Sequence, residues 1–263
     1  MPYESLNYEV ENGVAHIVLN RAHAHNAVNI QMARELPLMW RRFSEDKNAI
    51  VAILTGAGDR AFCAGADLAD LPDATIGRDF KTVDSMRWTS LRNDVWKPVI
   101  CAVNGLTVGG GLHFVADSDI VLASTKATFF DTHVKVGLVA GLEPVCLARK
   151  IPLEAVLRMM LVGGNERMSA QRALDIGLIG EVVQPEDLLE RAQEIAEMVK
   201  TNSPEAMAKT KKAIWRGLDM GLDDAMQYAW ELIIEQETHP DFEEGTSAFL
   251  QKRLPHWQPL GDN

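Results

Sequence analysis

Phe62-Cys63-Ala64-Gly65-Ala66-Asp67-Leu68 and Gly109-Gly110-Gly111-Leu112-His113, with Lys97-Pro98-Val99-Ile100-Cys101-Ala102-Val103-Asn104-Gly105 between them, are the stretches on which the fold turns. In the first, small residues on both sides of Gly65 let a ligand come close to the main chain. A tight turn between strand and loop is the simpler alternative. In the second, glycines enter a helix and leave unpaired amide N–H groups at its positive end, a setting suited to a developing oxyanion. The alternative there is a glycine-rich strand-to-helix turn with an incidental histidine. His113 follows Gly110 by three residues, which on a helix places its side chain on the face of the Gly110 amide.

Outward from these loops, strands and helices alternate. Asn12-Gly13 between Tyr8–Val10 and the alternating Val14–Leu19 predicts a type I′ hairpin. Asn29 precedes a helical pattern that puts Met32, Leu36, Met39, Trp40 and Phe43 on one face, and Pro37 inside it argues against a straight helix. Ile50–Thr55, Val99–Val103 and Asp119–Ala123 read as strands, and Leu112–Ala116 as a helix. The stretch from Asp70 to Lys97 is polar and weakly patterned, with a helix expected around Val83–Asp94 and a mobile loop before it. Beyond Leu138 helical patterns dominate: Leu142–Lys150, Leu153–Leu161, Ser169–Ile176 capped by Ser169, Glu186–Lys200, Glu205–Trp215, Asp223–Glu237 and Phe242–Arg253. The pattern is that of an α/β core with a helical C-terminal extension.

The chain has 263 residues, 47% of them hydrophobic, with 26 Lys+Arg against 37 Asp+Glu and a net charge of −11. These values exclude fibrous and disordered classes, and the acidic balance argues against a nucleic-acid partner. The N-terminus shows no secretory pattern, and no apolar run approaches the roughly 20 residues that span a bilayer. Cys63, Cys101 and Cys146 lack CxxC spacing and read as reduced thiols of a cytoplasmic protein. Gly56-Ala57-Gly58-Asp59-Arg60-Ala61 is formally a dinucleotide-binding pattern after a strand. Its continuation is broken by Gly65 and does not read as the helix that such a turn must open, which leaves a nicotinamide dehydrogenase as a weak rival.

Taken together, the Phe-Cys-Ala-Gly-Ala-Asp-Leu segment, the Lys-Pro-Val-Ile-Cys-Ala-Val-Asn-Gly strand and Gly-Gly-Gly-Leu resemble the enoyl-CoA hydratase/isomerase (crotonase) superfamily. The resemblance runs almost end to end. It includes Asn20-Arg21 through Asn26-Ala27, Ala123 through Gly137, Arg167-Met168-Ser169-Ala170 through Glu181-Val182-Val183, and Phe249-Leu250-Gln251-Lys252-Arg253. It implies a crotonase-like (ClpP/crotonase) α/β spiral of ββα units: a core over residues 1–195 and a helical trimerisation and lid region over 196–263. It also implies trimers or dimers of trimers, and an acyl-CoA thioester as substrate with no permanently bound cofactor. Carried over residue by residue, it places the N–H groups of Ala66 and Gly110 in an oxyanion hole, and Ala24, Ala64, Asp67 and Leu68 along the coenzyme A path. Where the family often has a lysine, this chain has His23 and Ala69, leaving Arg21 and Lys252 as substitute phosphate contacts.

Family hydratases hold water between two glutamates. Both positions are histidine here: His113, three residues after Gly110, and His133, four residues before Gly137. A neutral imidazole accepts a proton at one nitrogen while donating from the other, so histidine can serve as acid and base near neutrality. At the positive end of a helix His113 is expected to stay neutral, and His133 to be the principal acid/base. Asp131 or Glu143 could orient one of the imidazoles, although Glu143 also reads as a helix-start acid facing solvent. Zinc would need a third ligand that the spacing does not supply, so no metal is expected. Hydration–dehydration of an enoyl-CoA, a lyase reaction, is the leading expectation. The alternatives are hydrolysis of a CoA ester or of a carbon–carbon bond beta to a carbonyl by histidine-activated water, and an acyl-CoA-binding protein without hydratase activity.

Overall fold

The hydrophobic alternation around Asn12-Gly13 closes into a hairpin. Strands β1 (Leu6–Glu11) and β2 (Val14–Leu19) pair antiparallel with Glu11 opposite Val14. Asn12 and Gly13 both take positive φ, 49° and 85°, as a two-residue type I′ turn requires. The computed structural model describes residues 3–70 and 86–261. Helix α1 (Ile30–Glu45) follows, and its N-cap Asn29 side chain accepts from the Met32 N–H at 2.9 Å. The helix is unbroken through Pro37, and Met32, Leu36, Met39, Trp40 and Phe43 are fully buried on its inner face.

Strands β3 (Val51–Gly56), β5 (Val99–Val103), β7 (Ile120–Ser124) and β10 (Glu181–Val183) add in parallel to give a six-stranded sheet, β1-β2-β3-β5-β7-β10. β3 and β5 are buried along their whole length, which accounts for their near-continuous apolar sequence. A second sheet, β4-β6-β8-β9, is built from β4 (Ala61–Cys63), β6 (Leu106–Val108), β8 (Thr128–Phe130) and β9 (Met168–Ser169). The chain steps from the large sheet to the small one three times, β3 to β4, β5 to β6 and β7 to β8. The second step leads through a 3-10 turn at Gly109–Gly111 into the short helix α2 (Leu112–Ala116). Gly56–Ala61 is the link between β3 and β4, so the formal dinucleotide pattern leads into a strand and not into a helix.

Helices α3 (Leu142–Leu147), α4 (Leu153–Val162), α5 (Ala170–Asp175), α6 (Leu188–Lys200), α7 (Pro204–Gly217), α8 (Leu222–Glu237) and α9 (Pro240–Gln251) complete the chain. Ser169 caps α5, its Oγ accepting from the Arg172 N–H at 3.2 Å. Residue 195, the expected edge of the core, falls inside α6, whose Leu188, Ala192 and Ala196 pack on the outer face of the large sheet. Helix α7 is tied to the core by Lys211, which pairs with Asp119 at 2.8 Å and donates to the Lys97 carbonyl at 2.9 Å. The helix expected around Val83–Asp94 lies partly outside the described residues; its described part holds only a 3-10 turn at Leu91–Asn93. The loop expected before it lies outside them. Among the described residues no helix is long and apolar enough to cross a membrane.

Candidate active site

The first wall of the site is main chain. Residues after β4 form a parallel bridge, Val28 against Ala66, through the Val28 N–H to Gly65 carbonyl (2.7 Å) and Asp67 N–H to Val28 carbonyl (2.9 Å) bonds. Because successive amides of an extended chain alternate in direction, the Ala66 N–H faces away from that bridge. Gly65 sits at φ 84°, and a methyl group there would lie 2.7 Å from the Val108 carbonyl oxygen and 3.0 Å from the Gly110 nitrogen. Only glycine permits this approach, and it brings the Ala66 and Gly110 segments side by side. Gly110 lies in the first turn of its 3-10 helix, where N–H groups have no partner within the helix. Among the described residues no loop carbonyl or side-chain acceptor meets either amide.

The opposite wall gathers the histidines. His113, on α2, is 5% exposed, and its ring meets the Trp88 indole edge-on with centroids 6.1 Å apart. His133 precedes a 3-10 turn at Val134–Val136 and rests on Gly109: a methyl group at Gly109 would be 3.3 Å from His133 Cε1. Asp131, fully buried, holds His133 twice. Its Oδ1 accepts the His133 main-chain N–H at 2.8 Å and its Oδ2 lies 2.7 Å from Nδ1. With Asp131 ionised, Nδ1 carries the hydrogen and Nε2 is left to accept or deliver a proton.

Glu143, in the first turn of α3, is 5% exposed. The solvent-facing alternative is therefore set aside by its burial. Its Oε1 lies 3.4 Å from His113 Nε2 and 3.9 Å from His133 Nε2. The 3.4 Å approach lacks hydrogen-bond geometry, and His113 Nε2 has no hydrogen-bond partner among the described residues. Burial holds the His113 imidazolium below its ordinary range, against the opposing pull of Glu143 and Asp117. Desolvation thus supplies the neutrality that the sequence assigned to the helix end. The Asp131 hydrogen bond pushes His133 the other way, above the ordinary range, with Glu143 adding to the rise. Two imidazoles in one cleft are thereby biased apart, one neutral and one readily protonated.

The expected coenzyme A path is only partly built from free groups. The Ala64 N–H donates to the His25 carbonyl at 3.0 Å, which sets the Ala24 loop beside Ala64. Leu68 is 63% exposed. Asp67, by contrast, is spent on Arg21 at 2.8 Å, while Arg21 also donates to the Ala27 carbonyl at 2.6 Å. That pair ties the two loops together through one guanidinium nitrogen, Nη1. Lys252 is exposed at the C-cap of α9. Sequence reasoning passed over Trp88, Thr89, Arg92 and Asp117. Trp88 is held by its carbonyl, which accepts from Trp40 Nε1 at 2.7 Å, and its Cζ3 would lie 2.8 Å from a methyl group on Gly110. Asp117 accepts from Thr89 at 2.6 Å and lies 3.9 Å from Arg92 Nε. Its spacing of four from His113 was the available signal; Trp88 follows an unpatterned stretch that offered none. Among the described residues no group of three His, Cys, Asp or Glu side chains is placed to hold a metal ion.

A spiral of paired strands with two unpartnered amides set against a histidine–carboxylate cluster defines an enzyme of a known class. Residues 9–259 match the family described as Enoyl-CoA hydratase/isomerase, and the chain belongs to that family. It is 37% identical to (E)-benzylidenesuccinyl-CoA hydratase of Thauera aromatica, over 94% of this chain and 96% of that protein. It is 31% identical to short-chain-enoyl-CoA hydratase of Clostridium acetobutylicum, over 96% of this chain and 97% of that one. Among solved structures, an enoyl-CoA hydratase/isomerase from Mycobacterium paratuberculosis superposes with a TM-score of 0.89 at 41% identity, covering 97% of this chain and 99% of that one. The crotonase fold expected from the sequence is the fold adopted.

Proposed function

We propose that this protein adds water to, and removes it from, the double bond of an enoyl-CoA thioester. The observation that carries the reading is the pairing of the two free amides, Ala66 and Gly110, with an Asp131-held His133 resting on Gly109. The thioester oxygen accepts from both amides, and negative charge collects there as the enolate forms. Each such donor contributes about 3–4 kcal/mol to the transition state. His133 Nε2, its other nitrogen fixed by Asp131, exchanges the proton of the alpha carbon, and neutral His113 aligns water or substrate. Ala24, Ala64 and Leu68 border the coenzyme A path, with Asp67 shaping it through Arg21. The substrate class also agrees with the hydratase names of the relatives, and the chemistry asks for no bound cofactor. The free thiols of Cys63, Cys101 and Cys146 suit a reducing cytoplasm.

Residues 196–263 are read as the surface through which copies of the chain assemble as trimers or paired trimers. Helices α8 and α9 and the segment after them expose Leu222, Met226, Trp230, Phe249, Leu250 and Leu254, each more than half exposed. So much clustered apolar surface is characteristic of an interface.

A second reading, hydrolysis, draws on the same Asp131–His133 pair, since a carboxylate-held imidazole can also activate water against a carbonyl bound in the oxyanion hole. A panel of enoyl-CoA thioesters, from crotonyl-CoA to aryl-bearing cinnamoyl-CoA, followed by mass spectrometry separates the two. A hydrated adduct is expected; free coenzyme A or a cleaved acid overturns hydration in favour of hydrolysis. Changing both His113 and His133 to alanine should remove turnover, and unaffected turnover would overturn their roles.

A further inference from the structure

We propose that Glu143 is a third catalytic group, whose carboxylate holds the attacking water and takes its proton. The inference rests on the hydration reading above and gives the site the carboxylate missing from both histidine positions. Three acids lie close to the imidazoles, and they differ in what their oxygens already do. Asp131 has both oxygens filled by His133. Asp117 gives Oδ2 to Thr89 and Arg92, and although its Oδ1 is buried without a hydrogen-bond partner, among the described residues it forms no ion pair with either imidazole. Glu143, 7% exposed in its side chain, is the acid whose single oxygen approaches both rings, Oε1 lying 3.4 Å from His113 Nε2 and 3.9 Å from His133 Nε2. The nitrogen facing it, His113 Nε2, is buried without a hydrogen-bond partner among the described residues.

Leaving that nitrogen dehydrated and unsatisfied beside a carboxylate is costly unless a third group completes it. A water beside Glu143 Oε1 and His113 Nε2, hydrogen-bonded to each, would satisfy that nitrogen and meet the carboxylate. It would do so beside His133, the group that serves the alpha carbon, 3.9 Å from the same carboxylate oxygen. In the hydration direction the water O–H bond breaks as its oxygen bonds to the beta carbon, and the proton passes to the Glu143 carboxylate. The electron pair of the double bond moves to the alpha carbon, with charge on the thioester oxygen held by the Ala66 and Gly110 amides. The alpha carbon takes the proton from His133 Nε2, leaving it neutral. The proton on Glu143 then returns to His133 Nε2, and the cycle closes with one water added and no proton gained or lost.

The test separates water activation from alpha-proton transfer. Hydration is measured with crotonyl-CoA and cinnamoyl-CoA. Alpha-proton exchange into D2O is measured by mass spectrometry with their saturated counterparts, butyryl-CoA and 3-phenylpropanoyl-CoA, which need the oxyanion hole and His133 but no attacking water. Glu143→Gln is expected to lower hydration about 10²-fold to 10⁴-fold and to leave exchange within about tenfold, whereas His133→Ala loses both. Glu143→Asp, which keeps a carboxylate, should recover hydration about tenfold over Glu143→Gln. Hydration retained in Glu143→Gln, or hydration and exchange lost in equal measure, overturns the role of Glu143 alone. A parent protein that exchanges the alpha proton but hydrates neither thioester overturns the hydration reading and the role of Glu143 with it.

Discussion

Two histidine–aspartate pairs, each two residues apart in sequence, are wired in opposite senses, one with its imidazole 22% exposed and one with its imidazole 2% exposed. In the cleft, His133 Nδ1 lies 2.7 Å from Asp131 Oδ2 and Nε2 faces the site. At the head of α9, His239 Nδ1 instead accepts the Asp241 main-chain N–H at 3.2 Å. The Asp241 carboxylate lies 3.9 Å from that ring and is given to Ser203 Oγ and to the Gln258 N–H at 2.9 Å. Ser203 also caps α7, its Oγ accepting from the Ala206 N–H at 3.2 Å. The same residue types thus leave an imidazole open to the cleft in one place and brace two helix ends in the other. What separates them is which atom of the aspartate meets the ring, and whether the remaining nitrogen opens on a cleft. His239 Nε2 is buried without a hydrogen-bond partner among the described residues.

The sharpest way to break this contrast is to remove each imidazole. His133→Ala should reduce hydration by about 10³-fold and cost about 1–3 kcal/mol in stability, because the buried Asp131 carboxylate loses its side-chain partner. His239→Ala should lower unfolding free energy by about 1–3 kcal/mol and leave turnover per folded molecule unchanged. Steady-state kinetics and denaturant unfolding on both variants check the pair; a kinetic loss at position 239 would dissolve the distinction.

Replacing the aspartates is the next largest effect. Asp131→Asn should cost about 10²-fold in kcat with KM little changed, since orientation and charge are lost but the cleft is not. Asp241→Asn should act on stability, by about 1–3 kcal/mol, through its bonds to Ser203 and Gln258. Ser203→Ala is smaller, about 1 kcal/mol for a lost helix cap, read as a fall in melting temperature.

The pH dependence sharpens the comparison further. His133 is raised in the folded state by its Asp131 bond. The stability it contributes is therefore fully present below its ordinary value of 6.5 and is lost as pH rises through the raised folded value. The stability gap between the parent and Asp131→Asn should be widest near the acid side of neutrality and narrow in alkali. On the proposed mechanism hydration draws on a protonated His133, so it should fall on the alkaline side, and in Asp131→Asn that fall should move to lower pH. His113 has the opposite sign: burial lowers it, so stability is lost as pH drops below 6.5, and His113→Asn should flatten that acid limb. Thermal unfolding across pH measures both.

Much of this architecture was legible in the chain. Asn12-Gly13 demanded a hairpin by backbone chirality, Asn29 and Ser169 announced their helices through side chains that accept N–H bonds, and β3 and β5 were apolar because both faces are covered. The second sheet was not legible, because β4, β6, β8 and β9 have only two or three residues each, too few for a period. The histidines at positions 113 and 133 and the glycines beside them could be picked out by spacing. Glu143 could not be separated from a solvent-facing acid at a helix start, since that pattern is the same whether the helix lies on the surface or turns into a cleft.

Residue order by itself determined the elements, the glycines that let Ala66 and Gly110 approach, and the exchange of two expected carboxylates for imidazoles. These follow from local sterics and side-chain chemistry, which a sequence states directly. Tertiary structure alone decided that burial disfavours a charged His113, that Asp131 and not Glu143 holds His133, that Arg21 pairs with Asp67, and that a carboxylate from α3 stands between the imidazoles. Each depends on which groups from distant segments share a few ångströms of dehydrated space, a property of the packed chain and not of any stretch within it.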